Sequence, residues 1–153
     1  MYETIYSVLN LSVIPAWVLL IIFPNARLTK QVVHSCLYPL LIGLFYLVCL
    51  TLSMGFGHSA PGTSMSSIGG VTALFSHPNG VLTGWSHFLV FDLFVGAWIG
   101  RDRAERGISH WLAAPTQLLT FMFGPVGLFL YIILRLVMRK GGWMLDAKAP
   151  SDA

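Results

Sequence analysis

Four stretches of this chain run apolar for about 20 residues or more, the length of helix that crosses a hydrocarbon core. The first is Thr4 to Phe23, stopped by Pro24-Asn25 and followed by Arg27 and Lys30. The second, Val33 to Met54, ends at Gly55-Phe56-Gly57. The third, Val81 to Ile99, is entered through Pro78-Asn79-Gly80 and closed by Gly100 and the charged run Arg101-Asp102-Arg103-Ala104-Glu105-Arg106. The fourth, Leu112 to Met138, gives way to Arg139-Lys140 and Gly141-Gly142. The pattern predicts an all-α integral membrane protein, an antiparallel four-helix bundle over residues 1–142 with helices kinked at Pro15 and Pro125. A polar tail, 143–153, is expected to be disordered. Between the second and third runs, residues 55–80 are rich in Gly, Ser and Pro but carry no charge. That linker is expected to fold back on the bundle, with a short interfacial or re-entrant helix at Ile68 to Phe75.

Composition narrows the class. Apolar residues make up 56% of the chain and charged residues only 10%, against about 25% charged in soluble domains. From Gln31 to Phe91 there is no Asp, Glu, Lys or Arg. These features exclude a disordered chain, a nucleic-acid arm and a water-soluble enzyme. The net charge of +3 sits in short clusters beside the apolar runs, so it reads as charge at a membrane surface rather than a polyanion site. With four crossings, five Lys/Arg in the first and third loops oppose four on the other side, which barely orients the chain. The first run lacks the basic start and cleavage signal of a secretory leader and reads as a retained transmembrane helix. Cys36 and Cys49 share one run, roughly 20 Å apart along a helix, too far to form a disulfide.

A few residues are expensive to place in lipid. Asp92 lies in the middle of the third run, where a carboxyl costs about 2.5–3.5 kcal/mol on insertion scales. Two readings stay open: a hydrogen bond between helices, or a site at which a protonated, donating carboxyl acts. His87 is five residues earlier, about 140° around a helix, so it does not share a face with Asp92. Trp85, Phe88, Asp92 and Val95 form one stripe; His87, Phe91, Phe94 and Trp98 form another. Pro15, with Asn10 and Ser12 below it, Tyr46, and Gly124-Pro125 are disruptions at comparable depth, and broken helices meeting near the midplane often build a membrane site. Gly80-x3-Gly84 and Gly96-x3-Gly100 have the spacing of close helix packing. The five histidines show neither HxxxH nor HExxH spacing, so no metal site is expected. No phosphate loop, nucleophile elbow or CxxC pair is present, and no cofactor is expected.

Several of these residues fall into a larger pattern. Pro15-x-Trp17-x-Leu19 with Phe23-Pro24, then Gly84-Trp85-x-His87-Phe-Leu-x-Phe91-Asp92-Leu-Phe-Val-Gly96, then Gly107-Ile-x-His110, and Leu119-x-Phe121-Met122-x-Gly124-Pro125-x-Gly127 resemble the abscisic acid deficient 4 family over nearly the whole chain. The resemblance implies a small four-helix membrane protein; plant members are needed to make neoxanthin from violaxanthin in plastids. Lacking a transit peptide, the chain is expected to be a multi-pass protein of a bacterial inner membrane. Cofactor-free opening of a xanthophyll epoxide to an allene needs an acid at the epoxide oxygen and a base at the polyene. By position, the resemblance makes Asp92 and His87 the candidates, with His77 as an alternative base. Trp85, Phe88 and Phe91 would line a polyene groove, with Tyr46, Trp17, Gly124 and Pro125 as further lining. Three function classes follow: a carotenoid isomerase, a binder or accessory subunit holding a carotenoid or other isoprenoid, and a small proton-linked transporter using Asp92. Membrane lipid, a carotenoid-enzyme partner or a second copy of the chain are the expected partners.

Overall fold

A computed structural model describes residues 1–145 of the chain, and those residues are all-helical. Helix α1 spans Tyr2–Ile22 and runs unbroken through Pro15. Pro24 disfavours helix at the residue before it, and a π-helical turn, Thr29–Val33, follows. Thr29 there is fully buried and its hydroxyl donates to the Phe23 carbonyl at 2.6 Å, satisfying an orphan acceptor at the end of α1. Helix α2 is Leu37–Gly55 and α3 is Ile68–Ser76. Ser67 caps α3 by accepting from the Gly70 amide at 3.1 Å. Helix α4, Pro78–Glu105, begins on a proline, whose missing amide costs nothing in a first turn. It carries residues 101–105 of the charged run in its last turns instead of ending before it. The Ile108 amide bonds back to the Arg103 carbonyl at 2.8 Å, and Gly107 stands at φ +64°, a conformation favouring glycine.

The fourth apolar run departs from expectation. It forms two helices, α5 (His110–Phe123) and α6 (Pro125–Val137), separated by Gly124 at φ +48° and ψ −99°. A kinked helix keeps its direction, but here the chain reverses. Gly127 lies so close to Thr116 and Thr120 that a side chain would collide with the Thr120 hydroxyl and the Thr116 carbonyl. Buried Ala113, near the start of α5, shares a cluster with Tyr131 of α6. The pair is therefore a helical hairpin, and the single kinked helix expected at Pro125 is not what forms. The cause is local: Gly124 adopts a backbone conformation closed to other residues, and Pro125 supplies no amide to continue α5. Three helical stretches are long and apolar enough to cross a membrane, Tyr2–Ile22, Thr29–Gly55 and Pro78–Glu105. They leave Leu11, Val18, Leu40, Leu44 and Leu47 exposed, a surface that associates with lipid rather than water. Of the expected polar tail, residues 146–153 lie outside the described residues.

The chain divides into two compact units. One holds Met1–Ile14 and Cys36–Phe91; the other holds Pro15–Ser35 and the described residues from Asp92 onward. In the first unit, α3 docks on α4 through the first glycine pair: a side chain at Gly80 would strike the Leu74 carbonyl, and one at Gly84 the Phe75 ring. Asn79 ties the linker to α2, its amide donating to the Cys49 carbonyl and the Ser53 hydroxyl, each at 2.8 Å. The linker thus folds back on its own unit, as its lack of charge implied. In the second unit the other glycine pair receives α1. A side chain at Gly96 would come within 2.5 Å of the Trp17 ring, and Leu20 packs against both glycines.

Candidate functional site

The first unit encloses a cavity of about 520 Å³ between α2, the linker, α3 and α4. Its walls are Leu50, Met54, Val71, Leu74 and Phe75, with hydroxyls from Ser53, Ser59, Thr63, Ser64 and Thr83. The glycine at position 84 admits the Phe75 ring and so shapes one wall. Tyr46 and His87 stand at its edge, ring centroids 5.8 Å apart, beside Phe88. Phe91 packs on the other side of the imidazole at 4.7 Å. His87, Phe88 and Phe91 are exposed, so the cavity is open at this edge. Among the described residues no hydrogen bond is made to the His87 ring nitrogens. A site of this size, apolar with a few convergent polar groups, suits a small hydrophobic ligand.

Two other candidates in this unit stand elsewhere. Trp85 donates from Nε1 to Asn10 Oδ1 at 2.9 Å, its ring against Tyr6, and lines a separate groove with Tyr2 and Glu3. Asn10 is thus explained as the indole's acceptor. His77 ends α3, its Nδ1 accepting from the Asn79 amide at 3.1 Å and its ring edge-on to Tyr2. It turns a corner of the chain and does not line the cavity.

The second unit holds Asp92, half-buried against the reversal between α5 and α6. A side chain at Gly124 would sit 2.6 Å from Asp92 Oδ1. The carboxyl therefore lies beside the N-terminus of α6. No hydrogen bond reaches it from the described residues. Pro125 is the first residue of α6. Trp17 is 3% exposed, wedged between Gly96 and Phe121 with its ring 5.2 Å from the phenyl. Among the described residues no cluster of His, Cys, Asp or Glu could hold a metal.

One constellation escaped the sequence reading. Asp102, 3% exposed, accepts from Arg106 Nε at 2.8 Å and from the Tyr131 hydroxyl at 2.6 Å, with Arg135 Nη1 at 3.4 Å. Tyr131 and Arg135 are fully buried, and Arg135 also donates to the Gly142 and Met144 carbonyls at 2.7 Å. An arginine inside an apolar helix needs a buried acid, and Asp102 stands alone with Glu105 among the basic residues at the end of α4. That pairing was the available signal. Gln117, also fully buried, donates to the Gly96 carbonyl at 3.1 Å.

The family model described as ABA DEFICIENT 4-like matches residues 4–131. The chain belongs to this family. The ABA DEFICIENT 4-like match thus begins in α1 and ends at Tyr131, covering the His87 cavity, Asp92 and the hairpin reversal, and stopping short of Arg135. The chain is 23% identical over 143 residues to "Protein ABA DEFICIENT 4, chloroplastic" of Arabidopsis thaliana, covering 90% of this chain and 63% of that protein. It therefore spans under two thirds of the length of this relative. No solved structure matches the chain.

Proposed function

We propose that this is a multi-pass membrane protein whose first unit binds the end group of a carotenoid or related isoprenoid and isomerises it. The observation that carries the reading is the apolar cavity with an unbonded imidazole and a phenol at its edge, in a member of a family linked to carotenoid epoxides. A volume of about 520 Å³ suits a cyclic end group, while the polyene leaves sideways past Phe88 and Phe91 into lipid. Proton transfer then accomplishes the change. Tyr46 gives a proton to the epoxide oxygen as the C–O bond breaks. His87 removes a proton from the adjacent polyene carbon, and the electron pair released forms the second cumulated double bond. One proton is given and one taken, so substrate and product have equal mass and nothing is oxidised.

The test supplies an epoxy-xanthophyll to membranes carrying the protein and analyses the pigment. Wild type should give a product of unchanged mass, and His87→Gln and Tyr46→Phe should bind pigment but not convert it. Binding without turnover in wild type would leave a carrier, and absence of bound pigment would overturn the reading altogether. A second reading, proton-linked transport, draws on Asp92 beside a broken helix, an arrangement common at membrane ion sites. Substrate-dependent proton uptake by proteoliposomes, lost in Asp92→Asn, would favour it instead.

A further inference from the structure

Every Lys and Arg of the described residues lies in the second unit. We propose that these residues gather at one end of that unit and form a surface for the anionic headgroups of a single leaflet. The proposal rests on the reading of the three long helices as membrane crossings. Helices α5 and α6 have 14 and 13 residues, so each rises roughly 20 Å, too short for a hydrocarbon core of about 30 Å. They meet at Gly124 beside Asp92, midway along α4. From that level α6 runs alongside α4 in the same direction, because Asp92 meets Gly124 at one end and Asp102 meets Arg135 at the other.

The hairpin therefore returns the chain to the side it left. His110 at the foot of α5 donates to the Ile21 carbonyl at 2.7 Å, and Arg106 donates to the Lys140 carbonyl at 3.1 Å. Arg101 reaches the His34 ring at 3.4 Å. These bonds place the end of α1, the end of α4 and both feet of the hairpin at one level. Eight basic residues then stand against Asp102 and Glu105 on one side, while the linker 55–80, with no charge at all, belongs to the other unit. The basic charge that four crossings left nearly balanced is then gathered at one end of this unit, the kind of asymmetry that orients membrane proteins. Arg27, Lys30, Arg139 and Lys140 are exposed, as are Trp111 (76%) and Trp143 (78%). Exposed indoles among exposed cations suit the headgroup layer of a bilayer with negative lipids.

Two measurements test the proposal. In a Cys36→Ser, Cys49→Ala background, Glu3→Cys and Lys140→Cys should label with an impermeant maleimide from opposite sides, with Lys140→Cys on the cytoplasmic side. Labelling from the same side means an even number of crossings and overturns the hairpin topology. Extraction of the protein by alkaline carbonate would instead overturn the membrane reading on which this rests. In nanodiscs, wild type should melt higher in a phosphatidylcholine/phosphatidylglycerol mixture than in phosphatidylcholine alone. That gain should vanish near 1 M salt, where the screening length is about 3 Å, and in the Lys30→Gln, Arg139→Gln, Lys140→Gln variant. No gain in wild type, or an undiminished gain in the variant, overturns the lipid assignment. So does equal stabilisation by polyglutamate in phosphatidylcholine discs, which would indicate an acidic protein.

Discussion

Gly124→Ala is the sharpest probe of the second unit, because two independent penalties meet at one methyl group. The backbone there has φ +48° and ψ −99°, a conformation that costs a residue with a side chain of order 1–3 kcal/mol. The new carbon would also stand 2.6 Å from Asp92 Oδ1 and 3.2 Å from its Cγ, and such overpacking costs roughly 1–3 kcal/mol. The variant should lose about 2–6 kcal/mol in reversible unfolding from mixed micelles. Asp92→Ala separates the two penalties, since it removes the collision and leaves the strain. In the double variant the loss should fall short of the sum of the single losses by about 1 kcal/mol or more, the coupling expected of residues in contact. Additive losses would mean that Asp92 does not lie on the reversal, and a Gly124→Ala variant as stable as wild type would refute the hairpin geometry itself.

Three further outcomes are expected. Asp102→Asn leaves Arg135 buried without its counter-charge and should cost about 3–5 kcal/mol, with protease sensitivity appearing around residues 138–145; a near-neutral result in the same unfolding assay would refute the ion-pair account. Asn79→Ala strips the Cys49 carbonyl and Ser53 hydroxyl of their shared donor and should cost about 1–3 kcal/mol, with faster hydrogen exchange in the linker as the readout. Trp17→Ala opens a void between Gly96 and Phe121 and should cost about 3–5 kcal/mol, while pigment binding in the surviving folded protein stays intact; loss of binding at unchanged melting temperature would put Trp17 back into a ligand site.

The three long helices were legible because a run of apolar residues without charge is a composition signal that tertiary packing cannot mask. The short helix at Ile68 and the inward fold of the uncharged linker were legible for the same reason. The fourth run was misjudged because hydropathy does not record direction. A largely apolar run of 27 residues, Leu112 to Met138, reads alike whether it crosses or turns back. The turn is written in one residue, Gly124, whose demand for a positive φ becomes visible only when a neighbour such as Gly127 is found pressed against Thr120. Glycine spacing was read as close packing and proved so: at both Gly-x3-Gly pairs another element packs against α4. Among the proposed site residues, His87, Tyr46 and Phe88 come together at one cavity with Phe91 against the imidazole, while Trp85 and His77 are held by hydrogen bonds. The indole of Trp17 looked available only because its partners, Gly96 and Phe121, are far apart in sequence.

The two misreadings have one root. Counting the fourth run as a crossing sent Arg135, Arg139 and Lys140 to the far side and left the charge pattern nearly balanced. It also hid the partner of Asp102, because an acid and an arginine assigned to opposite surfaces are never paired. Restoring the reversal at Gly124 corrects both at once: Arg135 returns to the end of α4, where Asp102 is buried with it. The hairpin and the ion pair then support each other physically. A buried guanidinium is tolerable only beside a carboxylate, and the carboxylate is within reach only if α6 runs back along α4. Asp92 gains a different meaning in the same step. Instead of bridging continuous helices, it stands where α6 begins, with no hydrogen bond from the described residues.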